Sequence, residues 1–306
     1  MGSKYTNFEG WEKSFLWIIP VLLRRRRKEK NAARCHVCLH VIILKIRQKE
    51  LHVNIIEIDE KNIDSEHICC AIGNDKENRA RAQTKKDWMK GQFKFGLRFK
   101  RLDERGKAFI EYMPIESVWK PLIGKNYMVI NCLWVSGRFK GKGFSNGLLN
   151  ECIKDAEKLK MDGIAVVTSN KVKPFLTDKK FYLKHGFDVI DSAVPYFELL
   201  VLKFNRKAEN PRFTEKAKIG ECGIKKGFTF IYSNQCVFME EYVGLLSNVV
   251  KDRKEKATII KLNSSEDAQN QGSPFGTLGI YYNGQFLTHE LMTETKFRSL
   301  VEKAIV

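Results

Sequence analysis

The chain has 306 residues, 43% of them apolar, which suffices for ordinary cores, suggests two domains and excludes global disorder. Eight cysteines scattered from Cys35 to Cys236 are too sparse for a disulfide scaffold and suit a reducing, cytoplasmic setting. The formal net charge of +18 is uneven: residues 1–52 hold 12 Lys and Arg against 4 Asp and Glu, while the rest hold 42 against 32, with the signs interspersed. Interspersed charge reads as a solvated surface with an anionic small ligand, and direct nucleic-acid binding is the weaker reading.

Two apolar runs, 15–23 and 37–46, are each about half of the roughly twenty residues a membrane-spanning helix needs. Arg24–Arg27 follow the first run rather than precede it, which is not a signal-peptide layout. No transmembrane segment is expected. Met1-Gly2-Ser3-Lys4-Tyr5-Thr6 fits the spacing for N-myristoylation, and Cys35-x-x-Cys38-x-His40 lacks the second ligand pair of a zinc finger. Both patterns are too short to carry a site, and no metal is expected. Residues 1–52 are read as a basic appendage outside the fold, with Val53 as the start of the first domain.

From there the pattern is regular. Asn54–Asp59 reads as a strand, Ser65–Ile72 as a helical stretch and Lys85–Phe95 as a second helix. Gly96–Leu102, Ala108–Pro114 and Tyr127–Ser136 are rich in aromatic and β-branched residues, as strands demand, with a turn at Asp103–Lys107 between the first two. Beyond Ser136, Leu148, Leu149, Cys152, Ile153, Ala156 and Leu159 recur at three- and four-residue spacing, which predicts an amphipathic helix. Gly163–Ser169 predicts the next strand.

Arg138-Phe139-Lys140-Gly141-Lys142-Gly143-Phe144-Ser145 therefore sits where a strand passes into a helix. Such a turn presents unpaired N–H groups and the positive end of the helix to an anion, and glycine lets a phosphate approach closely. A dinucleotide fingerprint is excluded, since Asn146 stands where its third glycine belongs, and no Gly-Lys-Ser/Thr P-loop is present.

With its Arg138-x-x-Gly141-x-Gly143 signature, this segment resembles the GNAT superfamily of acyl-CoA-dependent N-acyltransferases. The resemblance implies an α/β fold with a mixed sheet, acetyl-CoA as cosubstrate, and a primary amine as acceptor. It also implies that Arg138 and the backbone of Phe139 through Ser145, with Lys140 and Lys142 adding charge, hold the CoA pyrophosphate, and that Leu133, Trp134 and Val135 line the cofactor. Lys180-Phe181-Tyr182-Leu183-Lys184-His185-Gly186-Phe187 is similar to the late helix of that superfamily, which gives Tyr182 the role of acid for the departing thiolate. A packing role for Tyr182 is the alternative. For the base, Glu111 in a strand ranks ahead of Glu116.

Asn205–Lys226 is polar and reads as a linker. Beyond it a strand (Gly227–Tyr232), Ser233-Asn234-Gln235-Cys236, a helix to about Arg253, a strand (Thr258–Leu262), a hairpin about Asn283-Gly284 and a helix (Lys296–Val306) resemble a thioredoxin-like domain. A cysteine at a helix N-terminus has a stabilised thiolate, which makes Cys236 a possible thiol site. Met239 stands where a second motif cysteine would be, so dithiol chemistry is not expected. Ser233–Cys236, Asp267-Ala268-Gln269-Asn270 and Ser273-Pro274-Phe275-Gly276-Thr277, with Glu66–Ile72 and Ile130–Gly137, are similar to the YoaP-like acetyltransferase group. The resemblance runs from Val53 to the C-terminus, with domains at 53–204 and 227–306. Two rival readings remain: a thiol or redox protein using Cys236 beside a CoA-sensing domain, and a basic nucleic-acid binder. The acceptor amine is left open.

Overall fold

The computed structural model describes residues 54–68 and 70–305. The expectations for the first 52 residues, including the myristoylation and Cys35/Cys38/His40 patterns, lie outside the described residues. Among the described residues no helix is long and apolar enough to cross a membrane.

Strand β1 (Ile55–Ile58) leads through turns to helix α1 (Lys76–Phe93). Then come β2 (Arg98–Leu102), β3 (Ala108–Pro114), the short β4 (Leu122–Ile123) and the long β5 (Tyr127–Val135). Helix α2 (Phe144–Lys158), β6 (Gly163–Ser169), the short α3 (Lys179–Leu183), β7 (Asp188–Ala193) and β8 (Phe197–Lys203) follow. The sheet order is β1-β2-β3-β5-β6-β8-β7. Every pair is antiparallel except β5 and β6, which α2 joins as a crossover.

Strand alternation divides β3 between two cores. Phe109 and Met113 pack with Trp88 and Met89 of α1, whereas Ile110 and Tyr112 pack with Leu148, Leu149, Cys152 and Ala156 of α2. A sheet covered on both faces needs apolar residues in every register, and β3 is buried throughout save Pro114. Each fully buried leucine of α2 contributes about 1.5–3 kcal/mol.

Three expectations change. Helix α1 starts at Lys76 rather than Lys85, with the Asp75 side chain accepting from the N–H of Asn78 at 2.8 Å. Its first turns are polar, so no apolar stripe marks them. Among the described residues of Ser65–Ile72 the expected helix does not form. Ile68 and Ala71 are buried there, but Arg101 on Glu66, Arg105 on the Ile72 carbonyl and the Gly106 N–H on His67 Nε2 hold the segment open. The expected linker carries β9 (Arg212–Phe213), paired with β4, and α4 (Glu215–Ile219), capped by Thr214. Buried Phe213 and Ala217 tie it down.

The remainder comprises β10 (Phe228–Tyr232), α5 (Met239–Asp252), β11 (Ala257–Lys261), α6 (Ser265–Gln269), β12 (Leu278–Tyr282), β13 (Gln285–Thr288) and α7 (Glu294–Ile305). Its sheet runs β11-β10-β12-β13, with β10 parallel to β11 and the other pairs antiparallel. Asn283 and Gly284 both take positive φ, as a two-residue hairpin turn requires. The core beneath α1 continues unbroken into this second lobe. Buried His289 also ties the lobes: Nδ1 lies 2.9 Å from the Tyr196 hydroxyl and Nε2 lies 3.3 Å from the Pro174 carbonyl. Because a carbonyl can only accept, the proton sits on Nε2 and Nδ1 accepts from Tyr196.

Candidate active site

The site is organised by a fault in β5. Tyr112 faces Ile130 and Glu111 faces Cys132, so Asn131 is an extra residue, a β-bulge. A bulge bends its strand. Below it β5 pairs with β6 from Tyr127↔Gly163 to Ile130↔Val166; above it that pairing stops. Upper β5 stays with β3 and upper β6 stays with β8, so the two part like a wedge. Leu133, Trp134 and Val135 line one edge of it. The Leu133 carbonyl accepts from the Thr177 hydroxyl at 3.1 Å.

A short 3-10 turn (Gly137–Phe139) and the glycine loop follow. Gly141 and Gly143 have φ of 76° and 83°, which other residues adopt only under strain. Gly143 caps α2 without a side-chain hydrogen bond. The N–H groups of Gly141, Lys142, Gly143, Phe144 and Ser145 find no backbone or side-chain acceptor among the described residues. Five free donors at the positive end of a 15-residue helix form an anion cradle. Phe139 is buried against Leu102 and Ala108, while Lys140 and Lys142 are exposed. Arg138 reaches back to Glu104 at 2.8 Å and packs on the Phe139 ring.

Tyr182, on α3, is fully buried in the core beneath α2. Its hydroxyl has no properly placed hydrogen-bond partner among the described residues, although the Thr177 hydroxyl lies nearby. Burial raises its pKa and outweighs Thr177, so the phenol keeps its proton at neutral pH.

On the other face of the sheet, between the lobes, lies a cavity of about 250 Å³. Glu111 forms its polar centre and is the one carboxylate among the described lining residues. The carboxylate pairs with buried Lys85 and accepts from Gln235 Nε2 at 2.9 Å and Asn131 Nδ2 at 3.2 Å. Lys85 also donates to the Gln235 carbonyl. Three of the roughly four acceptor positions of the carboxylate are thus occupied. Glu116 is elsewhere, accepting from the Asn126 N–H. Gln235, Cys236, Phe238, Phe275 and Thr277 bring the second lobe into the wall.

Cys70, Cys132 and Cys236 share this cavity. Burial pushes the Cys70 thiol up to about 11 and raises Cys132 and Cys236 as well. Burial thus works against the thiolate that a helix N-terminus would stabilise at Cys236. Helix α5 begins only at Met239, and desolvation outweighs the hydrogen bond to Cys236 from the Phe238 backbone. Among the described residues no group of three metal-ligating side chains is placed to hold an ion.

Nothing in the sequence singles out Lys85 or Lys120 as site residues, and Thr277 enters only as the end of the Ser273–Thr277 motif. Lys120 stands alone among apolar neighbours in Val118–Ile123, which is the one local signal of a buried charge.

The YoaP-like family profile matches residues 257–298. The chain is 39% identical over 246 residues to the uncharacterized N-acetyltransferase YoaP of Bacillus subtilis (strain 168), covering 80% of this chain and 97% of that protein. Among solved structures, the PaiA N-acetyltransferase of Thermoplasma acidophilum in complex with coenzyme A is 16% identical, with a TM-score of 0.35 over 49% of this chain and 99% of its own. A GNAT family acetyltransferase of Brucella melitensis in complex with acetyl-CoA is 13% identical, with a TM-score of 0.32 over 54% and 98%.

Proposed function

The chain belongs to the YoaP-like N-acetyltransferases, and we propose that it works as a GNAT-type enzyme, moving the acetyl group of acetyl-CoA onto a primary amine by direct attack. The observation that carries this reading is the wedge between β5 and β6 ending at the glycine loop. The five free N–H groups from Gly141 to Ser145 suit the CoA pyrophosphate, with Lys140 and Lys142 adding charge and Arg138 bracing the loop through Glu104. The edge of Leu133–Val135 left open by β6 suits the extended arm of the cofactor. Acetyl-CoA supplies the activated acyl group.

The chain's own residues do the rest. The largely apolar cavity favours the neutral, nucleophilic form of an amine. As nitrogen bonds to the thioester carbon it becomes strongly acidic, so even a weak base can take its proton. Glu111, with one acceptor position left, is that base, and the Lys85 ammonium and the two amides hold it in place. When the carbon–sulfur bond breaks, the buried Tyr182 hydroxyl gives its proton to the thiolate. The strand order β11-β10-β12-β13 supports a thioredoxin-like reading of the second lobe, here serving as a wall of the acceptor site.

Isothermal titration with acetyl-CoA tests the donor side. Gly141→Asp should weaken binding by about a hundredfold or more, ~2.7 kcal/mol, by setting a negative charge in the cradle. A Cβ there meets nothing within 4 Å, so the effect is not a clash at the main chain. A wild-type chain that does not bind acetyl-CoA, or a Gly141→Asp variant that binds it as well, would falsify the reading.

A further inference from the structure

The cavity wall carries two unlike sets of unmet polar groups. The first is oxygen: Asn131 Oδ1, Gln235 Oε1 and Thr277 Oγ1 have no hydrogen-bond partner among the described residues. Both amide NH2 groups are already committed to Glu111. The amide oxygens that remain can only accept, so they call for N–H donors beside Glu111.

The second set is positive charge. Lys120 is 4% exposed, donates to the Phe275 carbonyl at 2.6 Å and lies 5.7 Å from the centre of the Phe275 ring. It has no ion pair with a described residue, and burial lowers its pKa to about 8. Lys85 is matched by Glu111. Lys120, together with Lys107 on the same wall, leaves the cavity with surplus positive charge. A buried ammonium without a counter-ion is costly unless a ligand brings one. The rest of the wall is largely apolar, including Phe109, Trp134, Phe175 and Leu291. At about 250 Å³ the space is smaller than the ~300–1,000 Å³ pockets that enclose drug-sized ligands.

We propose that the acceptor is a small apolar amino acid, whose amino group donates to Asn131 Oδ1 and Gln235 Oε1 beside Glu111 and whose carboxylate pairs with Lys120. This rests on the transferase reading above and specifies its acceptor. Acetylation cancels the positive charge of the amino group and leaves the carboxylate. The product therefore keeps its hold on Lys120 and loses an N–H donor at the oxygens.

The test measures CoA release with the full chain and acetyl-CoA. Apolar amino acids such as leucine and phenylalanine are each compared with the amine lacking the carboxylate, 3-methylbutylamine and phenethylamine. The wild type should favour at least one amino acid over its amine by tenfold or more in kcat/KM. Lys120→Met should remove that preference mainly through KM, leaving the amines within about twofold. It should leave acetyl-CoA affinity unchanged by calorimetry, and the Tm is followed in parallel because the Phe275 carbonyl loses its donor. Amines turned over as well as amino acids, or a Lys120→Met variant that keeps the preference, would overturn the proposal while leaving the transferase reading intact. Turnover of no amine at all would sink both. A Lys120→Met variant with a depressed Tm would be replaced by Lys120→Gln, judged by the same ratio.

Discussion

The glycine loop and the Glu111 cavity both hang on the upper half of β5, yet they are made of different material. The loop offers main-chain N–H groups from exposed and half-buried residues and supports little else. The cavity is walled by side chains from both lobes, and its polar centre is a buried ion pair within the shared core. On the loop side, ligand binding can be removed without disturbing the fold. On the cavity side the groups that would meet the acceptor also hold the lobes together, so function and stability are coupled there.

The sharpest way to break that contrast is Glu111→Ala. It strands the Lys85 ammonium without its counter-ion, which should cost about 3–5 kcal/mol. For a body of this size that is a fall of roughly 10 °C in Tm. Gly141→Asp, measured by the same melting curve, should lose no more than about 1–2 kcal/mol for strain at its positive φ. Equal losses would erase the distinction. Combining Glu111→Leu with Lys85→Met should recover most of the stability and none of the activity.

His289 provides a smaller test on the cavity side. Burial lowers its pKa to about 4, with Glu290 and the Pro174 carbonyl raising it and Lys173 and Lys120 lowering it. The unfolded chain, with an ordinary histidine near 6.5, therefore binds more protons between those values. The stability is fully present above about pH 6.5 and is lost as pH falls toward 4, by about 3 kcal/mol. Urea midpoints at pH 7 and pH 4.5 should differ more for the wild type than for His289→Gln. Identical differences would remove histidine from the account.

Tyr182→Phe has the smallest expected effect on the fold. It deletes a buried hydroxyl that has no properly placed partner, so the Tm should stay level or rise. Its kcat should nevertheless fall by about a hundredfold, with acetyl-CoA affinity little changed. An unchanged kcat would return Tyr182 to a packing role.

Legibility followed the same divide. Gly141 and Gly143 were readable because a strand ending, a helix beginning and the need for positive φ are all local signals. The hairpin at Asn283-Gly284 was readable for the same reason. Glu111, Lys85 and Gln235 meet across 26 and 124 residues of sequence separation, and Lys120 meets Phe275 across 155. No period or spacing records such meetings. Ile68 and Ala71 are buried at helix-like spacing within Ser65–Ile72, but the Ile72 carbonyl bonds to Arg105 rather than to a helical N–H. The missed start of α1 was announced by its cap, Asp75, and hidden by the polar turns that follow.

Gly276 bears on how such a site can change. A Cβ at this position would lie 2.4 Å from the Trp119 carbonyl oxygen, so main chain nearly touches main chain beside the cavity. The two lobes are set at a separation that no side chain can widen without prying them apart. The cavity thus behaves as a mould of fixed height with interchangeable facings. Replacing lining residues such as Phe238, Phe275 or Leu291 would recast that space and leave the clamp that sets its height untouched.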